Sequence, residues 1–274
     1  MQDAQQVYHC AAIVSYESGQ ANLMQEVNVV GTANVVNLAL EMQVEKLVHV
    51  SSIAALGRSG KSKSLDESAK WEQSKFNTQY AISKHRAEME VWRGVAEGLH
   101  AAVVNPSVIL GSGYWKEGTG RIFMNGWNNF PFYPRGGTGF VDVRDVAKAT
   151  IELMEHPIAG ERFIINGENL SYHDVMTRIA LALGKKTPFI RVNPFIQETA
   201  WRAAWLYSKW KGKRPFITKE TARQSARTHY YDNTKSITQL GIHYTPIQQT
   251  IEETTTQLKI VATKGFEPDV LELI

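Results

Sequence analysis

Lys46-Leu47-Val48-His49-Val50-Ser51-Ser52-Ile53-Ala54-Ala55-Leu56-Gly57 is a β-rich run that ends in two serines and a turn of small residues. Short apolar-rich strands of this kind sit inside parallel sheets with helices on both faces. Their carboxyl ends are where such sheets receive ligands, so a polar exit marks a candidate site. Upstream, Val7-Tyr8-His9-Cys10-Ala11-Ala12-Ile13-Val14 reads as a buried strand. Between the two, Leu23, Val27, Val30, Val35, Leu38 and Met42 recur at helical spacing over about 20–42. Downstream come a polar loop from Gly57 to Ser68, a helix over about 79–97 that stops at Gly98, and an apolar run, Ala101 to Asn105, closed by Pro106. Strand, helix, strand, helix, strand predicts an α/β fold with a doubly wound parallel sheet.

Residues 111–139 are rich in Gly, Asn and aromatics and read as an irregular active-site segment. A helix over 142–155 and a strand over 162–165 follow, and residues 171–258 read as mostly helical. That divides the chain into a nucleotide-domain portion, 1–167, and a smaller C-terminal substrate lobe, 168–274. Trp201, Trp205, Tyr207 and Trp210 in this lobe either pack its interior or line a greasy pocket or membrane-contacting face.

Bulk properties exclude several classes. Hydrophobic residues at 43% of 274 and charged residues at 21% describe a chain able to build a core. A net charge of +3 with no Lys/Arg run gives no footprint for nucleic acid. No apolar run approaches the roughly 20 residues that span a bilayer, and the first residues lack the pattern of a signal peptide. Cys10 is the one cysteine, expected to be a buried structural thiol, and it points to a reducing cytoplasm. The eight histidines are scattered without ligand spacing, so no metal site is expected.

Tyr80-Ala81-Ile82-Ser83-Lys84 puts a phenol and an ammonium on one helix face. A neighbouring cation lowers a phenol's pKa towards neutrality and makes it an acid–base group. The same spacing occurs at Tyr207 with Lys211 and at Tyr231 with Lys235, where two solvated side chains on a helix are expected. Only Tyr80 opens a helix between two apolar strands, downstream of a strand with a serine exit.

With these segments in order, the run 7–167 resembles the extended short-chain dehydrogenase/reductase superfamily, which includes the NAD-dependent epimerase/dehydratases. Tyr8 to Ala12 looks like its fourth strand, Asn28 to Asn34 like the next helix, His49 to Gly57 like its catalytic serine strand. Asn105 to Gly111 looks like the loop beside nicotinamide, and Phe140 to Ala147 completes the set. The resemblance implies a Rossmann-like sheet, NAD or NADP as cofactor and a small-molecule substrate. It implies Tyr80 as proton donor or acceptor, Lys84 on the ribose hydroxyls, and Ser52, five residues before Gly57, on the substrate oxygen. Ser51 is the fallback should the register slip. Ala11 and Ala12 would admit the cofactor to the backbone, and Pro106, Ser107 and Val108 would line the nicotinamide site. Asn28 is a further, weaker cofactor candidate whose plainer role is to tie neighbouring strands together by hydrogen bonds. A homodimer through the helices over 20–42 and 79–97 is also implied.

The family's first strand and its Gly-rich phosphate turn have no counterpart before Val7, and neither Gly118-Thr119-Gly120 nor Gly136-Gly137-Thr138-Gly139 stands between a strand and a helix. The expectation is therefore a partial sheet lacking its first strands, with an open edge and dinucleotide bound poorly or not at all. The wording of residues 139–147 resembles the dihydroflavonol reductase and hydroxysteroid dehydrogenase branch more than the nucleotide-sugar branch, although Arg121 and Arg135 could serve a diphosphate. An oxidoreductase of a small apolar substrate is the leading expectation. A nucleotide-sugar epimerase or dehydratase is the alternative, and a non-catalytic cofactor-binding or scaffold protein the third.

Overall fold

The computed structural model describes the chain except residues 2, 17–18, 58–63, 75–76, 194–195, 197, 200, 203–218 and 265–274. Trp205, Tyr207, Trp210 and the pair Tyr207–Lys211 lie outside the described residues, as does most of the polar loop after Gly57. Four parallel strands form the main sheet in the order β1 (Gln6–His9), β2 (Lys46–Val50), β4 (Ala101–Pro106), β8 (Arg162–Ile165). Between β2 and β4 lies the short β3 (Ser64–Leu65). Between β4 and β8 lie β5 (Val108–Leu110), β6 (Phe132–Tyr133) and β7 (Gly137–Asp142).

Helices cover both faces of the main sheet. On one lie α1 (Ala21–Met24), which continues through a π-helical stretch (Gln25–Val30) into α2 (Gly31–Glu41), and α3 (Gln79–Ala96). Their apolar residues meet alternate strand residues there: Val36, Ala39 and Val91 against Leu47, Ala101 and Val103. The intervening strand residues, Val48, Ala102, Val104, Phe163 and Ile165, face α5 (Val143–Glu155) on the other side. Every residue of β4 is buried, as a central strand covered twice requires. Lys46 is buried as well; its Nζ donates to the carbonyls of Leu153 and His156 and so closes the end of α5.

The helical periodicity over 20–42 was legible, but the buried face is not the one its apolar residues mark. Met24, Asn28, Val29, Thr32, Val36 and Ala39 are buried, while Leu23, Val30, Leu38 and Met42 are each more than 40% exposed. The offset is present on both sides of the π stretch: Met24 is buried beside exposed Leu23, and Ala39 beside exposed Leu38. Cys10 is a second correction, being exposed rather than buried. The strand stops at His9, so Cys10 stands just outside the sheet.

A smaller sheet, β5-β7-β9, adds β9 (Glu168–Ser171), antiparallel to β7. Residues 111–139 prove less irregular than expected, for they include α4 (Gly120–Trp127), whose Phe123 is fully buried. Phe123, Leu110, Trp115 and Phe140 share a core with Val175 and Ile179 of α6 (Tyr172–Ala182). Ile247, Ile251 and Leu258 complete it; they come from the C-terminal helix Ile247–Thr263. The stretch 171–258 also carries two short strands, Ile190–Arg191 and Tyr230–Tyr231, paired with β6 and β3. Tyr231 and Lys235 therefore do not share a helix face. Tyr231 is a buried strand residue, and Lys235 pairs with Glu161 from the next helix.

The motif Phe140 to Ala147 ties these parts together. Asp142 caps α5 by accepting from Arg144 N (2.8 Å), and it also holds Thr250 Oγ1 (2.8 Å). The fully buried Asp145 accepts from Thr245 N (2.7 Å) and Thr245 Oγ1 (3.0 Å). Gly139 is needed there for space: a Cβ would stand 2.1 Å from Asn166 Oδ1 and 2.9 Å from Ser107 Cβ. Asn166 is buried and donates to Tyr231 O, so it has little room to retreat. Gly139→Ala is expected to destabilise the fold by about 1–3 kcal/mol, read as a lower urea midpoint at unchanged m-value. An unchanged midpoint would show that Asn166 relaxes freely. Among the described residues, no helix is long and apolar enough to cross a membrane.

Candidate active site

β1, β2 and β4 are adjacent and parallel, so their carboxyl ends open side by side: Cys10-Ala11-Ala12 after β1, Ser51-Ser52 after β2, Ser107-Val108 after β4. α3 carries Tyr80 and Lys84 to this edge. Thr78 fixes where it starts, its Oγ1 accepting from Ala81 N at 3.0 Å, which places Tyr80 in the first turn. The helix ends at Ala96, two residues before Gly98, which takes φ +103°.

The Ser52 hydroxyl lies beside the Tyr80 phenol, close enough to pull its pKa down. Ser52 is also the cap of the short 3-10 turn Ile53–Leu56, accepting from Ala54 N at 3.2 Å, so its hydroxyl is held by the turn that follows the strand. Gly57 ends that turn at φ +78°, with Trp71 Cα so near that a Cβ would sit 3.1 Å from it. One turn beyond Tyr80, the buried Lys84 donates from Nζ to Val50 O at 2.9 Å, the last carbonyl of β2. It lies within electrostatic reach of Cys10, His9 and His49.

Burial sets the ionisation here. Tyr80 is pushed up to about 12 by desolvation, then by the Tyr16 phenol, with the Ser52 hydroxyl pulling the other way. The expectation that Lys84 would bring the phenol towards neutrality is thus reversed in this structure, because loss of water outweighs a cation turned to Val50 O. Burial likewise lowers Lys84 to about 8, against the opposing pull of Glu88 and Cys10. Tyr80 is therefore neutral, and Lys84 largely an ammonium, at pH 7.

Ser51 is turned away from this trio. Its Oγ donates to the buried Glu88 Oε2 at 2.8 Å. Asn28 sits in the π turn, where its side chain accepts from Ile13 N (2.7 Å) and donates to Ile13 O (2.9 Å) and Ser83 Oγ (3.0 Å). It clamps the segment after β1 to α3 instead of tying two strands together, because Ile13 lies beyond the end of β1 and Ser83 on the helix. Ala11 and Ala12 are exposed at the exit of β1. Pro106 and Ser107 are buried, Val108 partly so, and the Ser107 hydroxyl has no hydrogen-bond partner among the described residues. Beside Tyr80, Ile13, Tyr16 and Trp71 pack onto Met24, Ala54 and Ala81, with the Tyr16 and Tyr80 rings edge to face at 5.8 Å.

Two groups escaped the sequence reading. His9 and His49 are register partners in β1 and β2 with ring centroids 5.0 Å apart, and His9 Nε2 meets Thr32 Oγ1 at 2.9 Å. Glu88 lies on the same buried stripe of α3 as Tyr80 and Lys84, and its spacing of four beyond Lys84 was a signal available in the sequence.

A parallel sheet with helices on both faces, whose carboxyl edge gathers serine, tyrosine and lysine, defines a class of nucleotide-binding enzyme. The profile of an NAD-binding family described as Male sterility protein matches residues 1–143, more than half of the 274. The chain belongs to this NAD-binding family and is an enzyme of the extended short-chain dehydrogenase/reductase type. It is similar to a Synechocystis sp. (strain ATCC 27184 / PCC 6803 / Kazusa) protein named "Putative dihydroflavonol 4-reductase", 29% identical over 92% of this chain and 76% of that one. It is also similar to cinnamoyl-CoA reductase 1 of Petunia hybrida, 26% identical over 96% of this chain and 72% of that one. Among solved structures, gox2253 superposes with a TM-score of 0.76 at 28% identity, over 96% of this chain and 80% of that one.

Proposed function

We propose that this chain is an NAD(P)-dependent oxidoreductase of a carbonyl or hydroxyl on a small, apolar compound, with Tyr80 as its acid–base group. The observation that carries this reading is the Ser52–Tyr80 hydroxyl pair at the carboxyl edge of the sheet, with Lys84 one turn below. The names of the relatives, a dihydroflavonol reductase and a cinnamoyl-CoA reductase, support reduction of a carbonyl in a molecule with an aromatic part. The wall of Ile13, Tyr16 and Trp71 beside Tyr80 supports an apolar substrate.

The residues present fit the nicotinamide and ribose end of a dinucleotide. Exposed Ala11 and Ala12 leave the exit of β1 without bulk, and the Ser107 hydroxyl is buried without a partner among the described residues. Lys84 would hold the ribose hydroxyls, with Pro106, Ser107 and Val108 walling the nicotinamide and Asn28 keeping the segment after β1 in place. The bound dinucleotide supplies or accepts the hydride. The protein's own part is to hold the substrate oxygen between two hydroxyls, Ser52 Oγ and Tyr80 OH, and to move one proton. In reduction, neutral Tyr80 gives its proton to that oxygen, and Lys84's positive charge stabilises the phenolate left behind. Exposed Leu23, Val30, Leu38 and Met42 beside α3's exposed Met89 support self-association through these helices as part of the same proposal.

The test follows the cofactor's balance. With aromatic and alicyclic ketones and aldehydes, the protein is expected to consume NADH or NADPH one for one with alcohol formed. A nucleotide sugar converted to its epimer with no net loss of reduced nicotinamide would replace this reading with an epimerase.

A further inference from the structure

On the buried stripe of α3, the polar residues Tyr80, Lys84 and Glu88 stand at successive four-residue steps. Glu88 is 1% exposed, and a carboxylate is expensive to bury unless every oxygen is engaged. Here both are. Oε2 accepts from Ser51 Oγ at 2.8 Å and from Asn105 Nδ2 at 3.0 Å, while Oε1 pairs with Arg162 Nη1 at 3.1 Å. The same Asn105 Nδ2 also donates to Ser52 O at 3.0 Å. Arg162 reaches past Glu88 to Glu67 O (2.7 Å) and Ala69 O (2.7 Å), on the segment leading to Trp71. One carboxylate thus joins the exit of β2, the end of β4, the start of β8 and the helix that bears Tyr80.

We infer that Glu88 is a positioning residue: its carboxylate locks the Ser51–Ser52 exit of β2 to α3, so that the Ser52 and Tyr80 hydroxyls meet at one substrate oxygen. This rests on the oxidoreductase reading above and extends it. A core hydrocarbon at 88 would fill the space, but it could not hold the Ser52 carbonyl through Asn105 or orient Ser51. Reactive hydroxyls tolerate displacements of only about half an ångström, and a purely apolar contact between helix and strand sets position less finely than four directed bonds. Glu88 also faces Lys84 and His85 along its own helix, while His9, His49 and Cys10 face Lys84 from β1, β2 and the turn after β1. Among these groups Glu88 and Cys10 are the ones that favour the Lys84 ammonium.

The experiment compares Glu88→Gln, Glu88→Asp and Ser51→Ala with the parent protein. Glu88→Gln is expected to lower kcat by roughly 10-fold or more, with KM and NADH affinity changed less than about 3-fold. Its alkaline limb should move to lower pH, because the Lys84 ammonium loses a favourable neighbour. Glu88→Asp keeps the charge and should restore the limb while recovering only part of kcat. A readout independent of turnover is the Cζ resonance of Tyr80 in protein carrying 13Cζ-tyrosine, assigned by its absence in Tyr80→Phe. It should move in Glu88→Gln. If Glu88→Gln does not fold, Ser51→Ala decides, since it removes one bond and leaves the carboxylate; a displaced Tyr80 resonance and a kcat lower by about 3-fold are expected. A folded Glu88→Gln, or failing that Ser51→Ala, with the parent's kcat, pH limb and Tyr80 resonance overturns the inference. Absence of any turnover dependent on Tyr80 in the parent instead overturns the oxidoreductase reading, and the resonance still reports on Glu88.

Discussion

Tyr80→Phe is expected to lower kcat by about 10²–10⁴-fold, the usual contribution of a positioned acid–base group, while KM changes little. The ring remains to pack against Tyr16, and Ser52 remains to hold the substrate oxygen. Only the proton is lost. Because the phenol stands near 12, it is neutral across the physiological range, and the site is set for reduction, where a proton donor is required. The same shift gives a stability signature. The folded state holds the Tyr80 proton up to about pH 12, whereas the unfolded chain releases it near the ordinary tyrosine value of 10.0. Wild-type stability should therefore fall by about 3 kcal/mol between those pH values from this group, a fall missing in Tyr80→Phe. The two readouts separate catalyst from binder: a protein that merely binds cofactor would lose the stability signature but have no turnover to lose. Retention of more than about a tenth of kcat would sink the assignment of Tyr80.

Much of this was legible because it is local. Tyr80, Lys84 and Gly98 give the chemistry and the stop of a helix read over about 79–97, and the helix observed is Gln79–Ala96. The apolar run Ala101 to Asn105 became a fully buried central strand. What stayed hidden depends on long-range packing. Glu88 reads in sequence as one more charged residue on a helix; its partners Ser51 and Arg162 lie 37 and 74 residues away. The face of the helix through Asn28 was misassigned because buried Asn28 and Thr32 look like solvent residues, while Leu23, Val30 and Leu38 are apolar yet exposed. Cys10 looked buried because the apolar letters continue past His9, although the strand does not. The pKa of Tyr80 went the other way for the same kind of reason: sequence shows the cation four residues on, but not the dehydration around the ring.

Lys84→Met is expected to make the protein more stable at pH 7 and close to inactive. The Lys84 side chain is 2% exposed, and burial brings its pKa to about 8 from the ordinary lysine value of 10.5. Below pH 8 the folded state must keep an ammonium in a poorly hydrated place, while the unfolded chain keeps it in water at no cost. Between about 8 and 10.5 the unfolded chain binds the proton that the folded one has released, so stability rises with pH through that window, by about 3 kcal/mol in all. Methionine removes this burden but leaves Val50 O without its 2.9 Å donor, which costs back about 1 kcal/mol. The net gain at pH 7 is about 2 kcal/mol; it should shrink as pH climbs through the window, cross zero before its top and end as a deficit of about 1 kcal/mol, the lost Val50 O hydrogen bond. Activity moves the opposite way, since the phenolate formed when Tyr80 gives up its proton loses its neighbouring charge; kcat should drop about 10²-fold or more. In the parent, reduction should weaken above pH 8 as Lys84 discharges, and the residual rate of Lys84→Met should not follow that limb. Denaturant titrations of both proteins at pH 7 and pH 10 measure the first half, and pH–rate profiles the second. A variant less stable than its parent at pH 7, or a stability difference that ignores pH, would mean that Lys84 is not a buried cation held against its solvation preference, and a charge kept at that cost is what ties this helix to the chemistry of its neighbour Tyr80.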